Sequence, residues 1–300
     1  MLMGNNGRGR GSMELRGLVP TPEERWALMR SYLELGEGDL EAMAATVEPL
    51  FRRGPDLVKE NYDYLARFPE TAAVLGWEDG IDEEHLEERR RFFTIWLARL
   101  LGLDLSDDMA RYMFYAGKVH AGHGPRRIHV PDIFVTGAIS RVQADFAATI
   151  QAHIADAGVV ARALAGWNKV LTMHLDMMLM GYQVARAVDE GPNPVRVTLF
   201  GRLRSLVGRQ EMVIHTDPNA RVADVLRKFF NYYPEARREA LEAHPEPLEE
   251  GESLWLELTE VYVPRKSWRV LRNGRDLNYN GGFEAPVEAG DEVALFPPGR

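Results

Sequence analysis

The sequence contains no cysteine. That excludes disulfides, thiolate-bound zinc, iron–sulfur clusters and a cysteine nucleophile, and it suits the cytoplasmic location we expect. A basic excess is missing too. Thirty-six Lys and Arg against 45 Asp and Glu leave a net charge of −9. Residues 1–190 hold 21 basic and 28 acidic side chains (−7), and residues 191–300 hold 15 and 17 (−2). Neither part has the positive field that nucleic acid or an anionic membrane would call for, so neither is expected as a partner. There is no apolar run of membrane-spanning length; the longest, near "HLDMMLMGYQVA", is broken by His174, Asp176 and Gln183. The opening "MLMGNNGRGRGS" has no apolar stretch and does not read as a secretory signal; residues 1–20 read as a disordered tail. Finally, no nucleophile–base pair, phosphate loop or carboxylate dyad is legible, so a sensor or binding protein is expected rather than an independent enzyme.

What is present suits two globular domains. Hydrophobic residues make up 45% and charged residues 27% of 300 positions, which is enough apolar material for packed cores. The character changes at "DEGPNPVRV" (189–197), where two prolines and a glycine stop a helix. Upstream, Trp167, Leu171, His174, Met178 and Tyr182 recur at helical spacing. Downstream, Val195, Val197 and Leu199 alternate as in a strand. The reading is an all-α domain over 21–189, a linker at 190–194 and an α+β domain over 195–300. Thr21-Pro22-Glu23-Glu24 opens the first helix: a capping Thr, Pro at the first helical position, acids in the first turn. Further helices are expected at 39–51, 55–67, 70–75, 83–101, 106–121, 132–156 and 159–188.

The stretch "YAGKVHAGHGPRRIHV" (115–130) gathers three of the eight histidines. Met109, Met113, Ala116 and His120 share one helical face, and "GHGP" stops that helix just after His120. On the residues alone, His120 is either a buried histidine bonded to a neighbouring carbonyl, or a complement to the helix's negative end. A zinc site with His123 and His129 has the right ligand type, but Arg126 and Arg127 would sit beside a dication.

With those residues in place, 55–190 resembles the sensor globins, the protoglobin and globin-coupled sensor branch. The motif reads "KVHAGHG" and then "PDIFVTGA". His120 takes the position of the haem-ligating histidine, Gly124 that of the following glycine, and Pro131, Ile133, Phe134 and Gly137 open the next helix, with Ile133 in place of one of the paired aromatics. Upstream, "VKENYDYLARFPETAAVLG" (58–76) puts Tyr62 and Leu65 at the distal-pocket positions, and Phe92, Phe93 and Trp96 fall where pocket lining is expected. The resemblance implies a globin fold with haem b, His120 on the iron, Tyr62, Phe92, Phe93, Trp96 and Phe134 around it, and a diatomic gas as ligand. His123 and His129 become bystanders, or propionate contacts together with Arg126 or Arg127. On the residues alone the face bearing Met173, Met177, Met178 and Met180 reads as core; the resemblance also implies a homodimer through the last two globin helices, for which that face would be suitable.

The remainder resembles the MoaD/ThiS sulfur carriers. In 195–239, "FGRLRSLVGR" reads as one strand and "DPNARVADVL" as a second leading into a helix, followed by "YYPE". In 268–300, "VLRNG", "GG" and "GDEVALFPP" fall in the family's order. The implied fold is a β-grasp, with Val222, Val225, Leu226 and Phe229 as the helix face over the sheet; the path of 240–262 is left open. The chain departs from the family at Pro297-Pro298-Gly299-Arg300, where carriers finish in Gly-Gly. The expectation is therefore a binding module first and a carrier second, with a molybdopterin-synthase-like or activating-enzyme-like protein as partner. The favoured function is a haem-based gas or redox sensor whose globin controls partner binding by the β-grasp module. The alternatives are an oxygen-responsive sulfur carrier linked to molybdopterin or related sulfur transfer, and a haem-free dimerising scaffold.

Overall fold

The computed structural model describes residues 12–248 and 257–297. Two compact units divide it: Pro22–Gln183, and a discontinuous unit formed by the residues before Pro22 together with Val184 onward.

The helical unit begins with α1 (Pro22–Tyr32), α2 (Glu37–Ala44), α3 (Val47–Arg67) and α4 (Pro69–Leu75), and continues through α5 (Glu83–Leu101), α6 (Asp107–His120), α7 (Asp132–His153) and α8 (Ala157–Asp189). The start of α1 and the Ser106 cap read in the sequence hold. Pro22 opens α1, and Ser106 Oγ accepts from the Met109 amide at the start of α6. One boundary differs. The helices expected at 39–51 and 55–67 break instead at Ala45–Thr46, and α3 runs on through Pro55. Thr46 is buried, bonding the Met43 carbonyl and receiving Trp167 Nε1 at 2.9 Å, so tertiary contacts fix the break there.

Within this unit α3 packs on α5 and α7, and α1 packs on α6. The crossing of α6 and α8 is made by glycine. A Cβ on Gly117 would lie 2.0 Å from the Met178 carbonyl oxygen, and one on Gly181 would lie 1.9 Å from that of Phe114. The two backbones therefore touch where no other residue fits. The Met-rich face of α8 is core: Met173 and Met177 are fully buried, Met178 and Met180 nearly so. The sequence expectation of that face as a dimer contact is corrected, because it is consumed inside the chain.

The second unit is built on β1 (Asn193–Leu199), α9 (Gly201–Val207), β2 (Glu211–Thr216), α10 (Val222–Tyr232) and α11 (Pro234–Ala240). In the stretch whose path the sequence left open, β3 (Leu241–Leu248) and β4 (Glu257–Pro264) pair antiparallel, and β5 (Arg269–Arg272), β6 (Arg275–Asp276) and β7 (Glu292–Phe296) complete the unit. The main sheet runs β2-β1-β7-β5-β6, with β1 and β7 parallel. Val222, Val225, Leu226, Phe229 and Phe230 of α10 are fully buried, as are Val195, Val197, Ile214 and Val293 of the sheet. This is the mixed sheet on one helix that was expected. Residues 200–209, read as a strand, are instead mostly α9: Phe200 follows β1 and caps the helix, Gly201 turns the chain at φ +54°, and Leu203 alone of the helix is buried.

The expected tail at 1–20 is also corrected over its described part. Residues 12–20 lie on the second unit, with Leu15 fully buried and paired to Tyr262. Pairing this distant in sequence leaves no local periodicity to read. Residues 1–11, and Pro298, Gly299 and Arg300 of the C-terminal reading, lie outside the described residues.

Candidate functional site

His120 is the last residue of α6, below Met109 and Met113, which are buried. Its Nδ1 lies 2.7 Å from the Ala116 carbonyl. A carbonyl only accepts, so Nδ1 carries the proton and Nε2 keeps its lone pair. Burial lowers the pKa of the ring, the Ala116 bond opposes this, and the nearby Arg89 guanidinium lowers it further. The result is a neutral imidazole, oriented through one nitrogen and free to donate from the other, which is what a metal-bound histidine requires. Its neighbours in the turn are differently engaged. His129 Nε2 meets Tyr182 Oη at 2.6 Å, and Arg126 pairs with Glu88 at 2.8 Å. The turn is pinned by Val130 N donating to the His120 carbonyl and by an Ala121–His129 bridge. Among the described residues no three His, Asp or Glu side chains converge to hold a metal ion unaided. Iron on His120 would need other donors, as a porphyrin supplies.

The expected distal residues form one aromatic run. The Tyr62 and Phe93 rings meet edge-on at 6.2 Å, and Phe93 stacks on Trp96 at 5.2 Å. Tyr62 Oη donates to the Arg89 carbonyl at 2.9 Å, and burial raises its pKa, so it is a protonated donor at neutral pH. Arg89 thus faces both halves of the site: its carbonyl holds Tyr62 and its charge acts on His120. Its side chain is itself held by His85 Nε2, at 2.9 Å. The remaining two residues are placed differently. Phe134 packs edge-on against Phe68 at 6.2 Å, and Phe92 is 51% exposed.

Sequence reasoning missed Arg89 and understated His174. His174 is fully buried on α8; Trp96 Nε1 donates to its Nδ1 at 3.1 Å, and Trp26 stacks on it at 5.6 Å. Burial drives its pKa down to about 3. The available signal was its place inside an otherwise apolar stripe with Trp167, Leu171 and Met178. For Arg89 there was none, since it acts through its main chain and a cross-helix field.

No described helix is long and apolar enough to cross a membrane. Two family models match the chain, Protoglobin over 22–187 and the ThiS family over 197–299. Among curated proteins, small archaeal modifier protein 3 of Haloferax volcanii is 29% identical over 104 residues, covering 35% of this chain and 94% of that protein. Among solved structures, the globin domain of the Geobacter sulfurreducens globin-coupled sensor is 20% identical, covers 52% of this chain and 97% of that one, and has a TM-score of 0.43. H. volcanii small archaeal modifier protein 1 is 24% identical over 36% of this chain and all of that one, at a TM-score of 0.26.

Proposed function

The chain belongs to the protoglobin family, followed by a ThiS/MoaD-like β-grasp domain, and from that premise we propose that it is a haem-based gas or redox sensor whose globin controls partner binding by the β-grasp module. The observation that carries this reading is the state of His120: a neutral imidazole at a helix end, with Nδ1 spent on Ala116 and Nε2 free. In this reading His120 binds the iron of haem b. Tyr62 offers its hydroxyl to the bound gas, and Phe93 and Trp96 exclude water from the distal side. Haem, when bound, supplies an iron with a position open to a diatomic ligand.

The packing of α6 supports a route outward. It touches α8 backbone to backbone at Gly117 and Gly181, and α1 packs on it as well. These are the two helices at which the chain leaves the helical unit. Asp189 ends α8 and Asn193 opens β1, so a displacement of His120 has little slack before it reaches the sheet.

Homodimerisation through α7 and α8 belongs to the same proposal, on a face other than the methionines. Gly137, Ser140, Ala144 and Ala148 are exposed along α7, and Ala161 and Ala165 along α8. Haem reconstitution tests the core of the reading. Wild type and His123→Ala should give a Soret band and His120→Ala none; a band retained by His120→Ala would sink it. The ThiS match to residue 299 keeps a sulfur-carrier role as the second reading. Mass spectrometry of the C-terminus after incubation with an activating enzyme and ATP distinguishes the two.

A further inference from the structure

Residues 12–20 make main-chain contacts along one side of the β-grasp unit. The Leu15 amide donates to the Tyr262 carbonyl at 2.8 Å, and the Tyr262 amide donates back at 2.9 Å. The Ser12 carbonyl accepts from the Phe283 amide at 2.8 Å, and that of Arg16 accepts from Arg227 Nε at 2.8 Å. Farther along, the Val19 amide donates to Asn231 Oδ1 at 3.1 Å, and the Val19 carbonyl accepts from Arg237 Nη1 at 2.8 Å. Side chains alternate as in an added strand: Met13 is half-buried, Glu14 exposed, Leu15 fully buried, Arg16 exposed. Arg16 reaches Glu246 at 2.6 Å. Backbone pairing for affinity, with a pocket for alternate side chains, is how sheets take up extended peptides. The segment is covalently remote from the surface it covers. It joins the rest of its unit only through the whole of Pro22–Gln183.

We propose that this surface is a peptide-docking groove and that residues 12–20 are its tethered resident. The ligand is an extended segment of a partner protein with an aliphatic side chain at the Leu15 position and a basic residue directly after it, as in Leu15-Arg16. It enters when the arm leaves. The Glu246 carboxylate selects the basic residue, and the Leu15 pocket selects the aliphatic one.

The test uses the full chain and a fluorescein-labelled synthetic peptide of residues 12–20, followed by anisotropy. Leu15→Asp puts a carboxylate at a fully buried position, and Gly17→Val places a β-branched residue at φ +72°. Both loosen the arm and leave the groove unchanged. A tether holds the arm at an effective concentration on the order of millimolar, so both variants should bind the probe at least about tenfold more tightly than wild type. A probe carrying Leu15→Asp should bind none of them. Variants with wild-type circular dichroism that bind no better than wild type would overturn the proposal. So would a concentration-dependent wild-type dimer that either variant abolishes, which would put a second copy's arm in the groove. Should the variants fail to fold, hydrogen exchange on wild type decides. The Tyr262 and Phe283 amides, which donate to the arm, should exchange at one common rate, about a hundredfold faster than the Val197 amide. Exchange of all three at one rate would make the arm an integral strand and end the idea.

Discussion

At the scale of single residues, the proposed haem pocket and the response to acid can each be tested. At Tyr62 the hydroxyl already has an acceptor in the Arg89 carbonyl. A bound gas must compete for that proton, so the net gain from Tyr62 falls at the low end of a hydrogen bond, about 1 kcal/mol. Tyr62→Phe should then keep the Soret band and speed oxygen release only about fivefold, measured by stopped-flow. An unchanged rate would count against Tyr62 as the donor. His174 gives a pH prediction. Its folded pKa of about 3 lies below that of an unfolded histidine, so the unfolded chain binds more protons in the window between. Stability is therefore full above the unfolded value and lost as pH falls toward 3, by about 1.4 kcal/mol per unit within the window. His85 and, without haem, His120 are lowered too and add with the same sign. Urea unfolding at pH 7 and pH 5 should show the loss, and His174→Phe should flatten it. The place of His120 at the end of α6 was legible because a helix stop follows an apolar stripe, while its role rests on the family resemblance. The Trp96–His174 bond was not, because it joins residues 78 positions apart.

At the level of elements, the glycine crossing ties α6, which ends in His120, to α8. Gly181→Ala would drive a methyl into the Phe114 carbonyl and push α6 off α8. Overpacking of this kind costs about 1–3 kcal/mol. The thermal midpoint should fall, and the Soret band should shift because His120 ends the same helix. Gly137→Ala, with nothing within 4 Å of its Cβ, is the control and should leave both unchanged. Charges at Ala144 and Ala148 should turn a dimer into a monomer by light scattering without moving the Soret band. The helices were readable from caps and 3.6-residue spacing, and the α10 face from Val222, Val225, Leu226 and Phe229. Two elements were not. Residues 201–207 bury little besides Leu203, so their pattern favours no periodicity. The Met face of α8 looks alike whether a neighbouring helix or a second chain covers it.

For the whole molecule, ligand state and partner state should be linked by about 1–3 kcal/mol, and reciprocally. Hydrogen exchange over 180–200 in ferric, deoxy-ferrous and CO-bound protein should differ. A longer Gly/Ser segment in place of Gly191–Pro192, ahead of β1, should abolish the difference and leave the haem spectrum unchanged. Identical protection in all three states would leave the domains uncoupled. The discontinuity of the second unit has a consequence in time as well as space. Arg237 meets Val19 across 218 positions. At about 5–20 residues per second, a ribosome makes Val19 on the order of 10–40 s before its partner exists. Through that interval the segment around Leu15 is an unpaired strand bearing an aliphatic side chain, which a chaperone or a neighbouring nascent chain can take. Stalled nascent chains ending near residue 190 should lose this segment to protease at once, while chains extended past β7 and released should keep it.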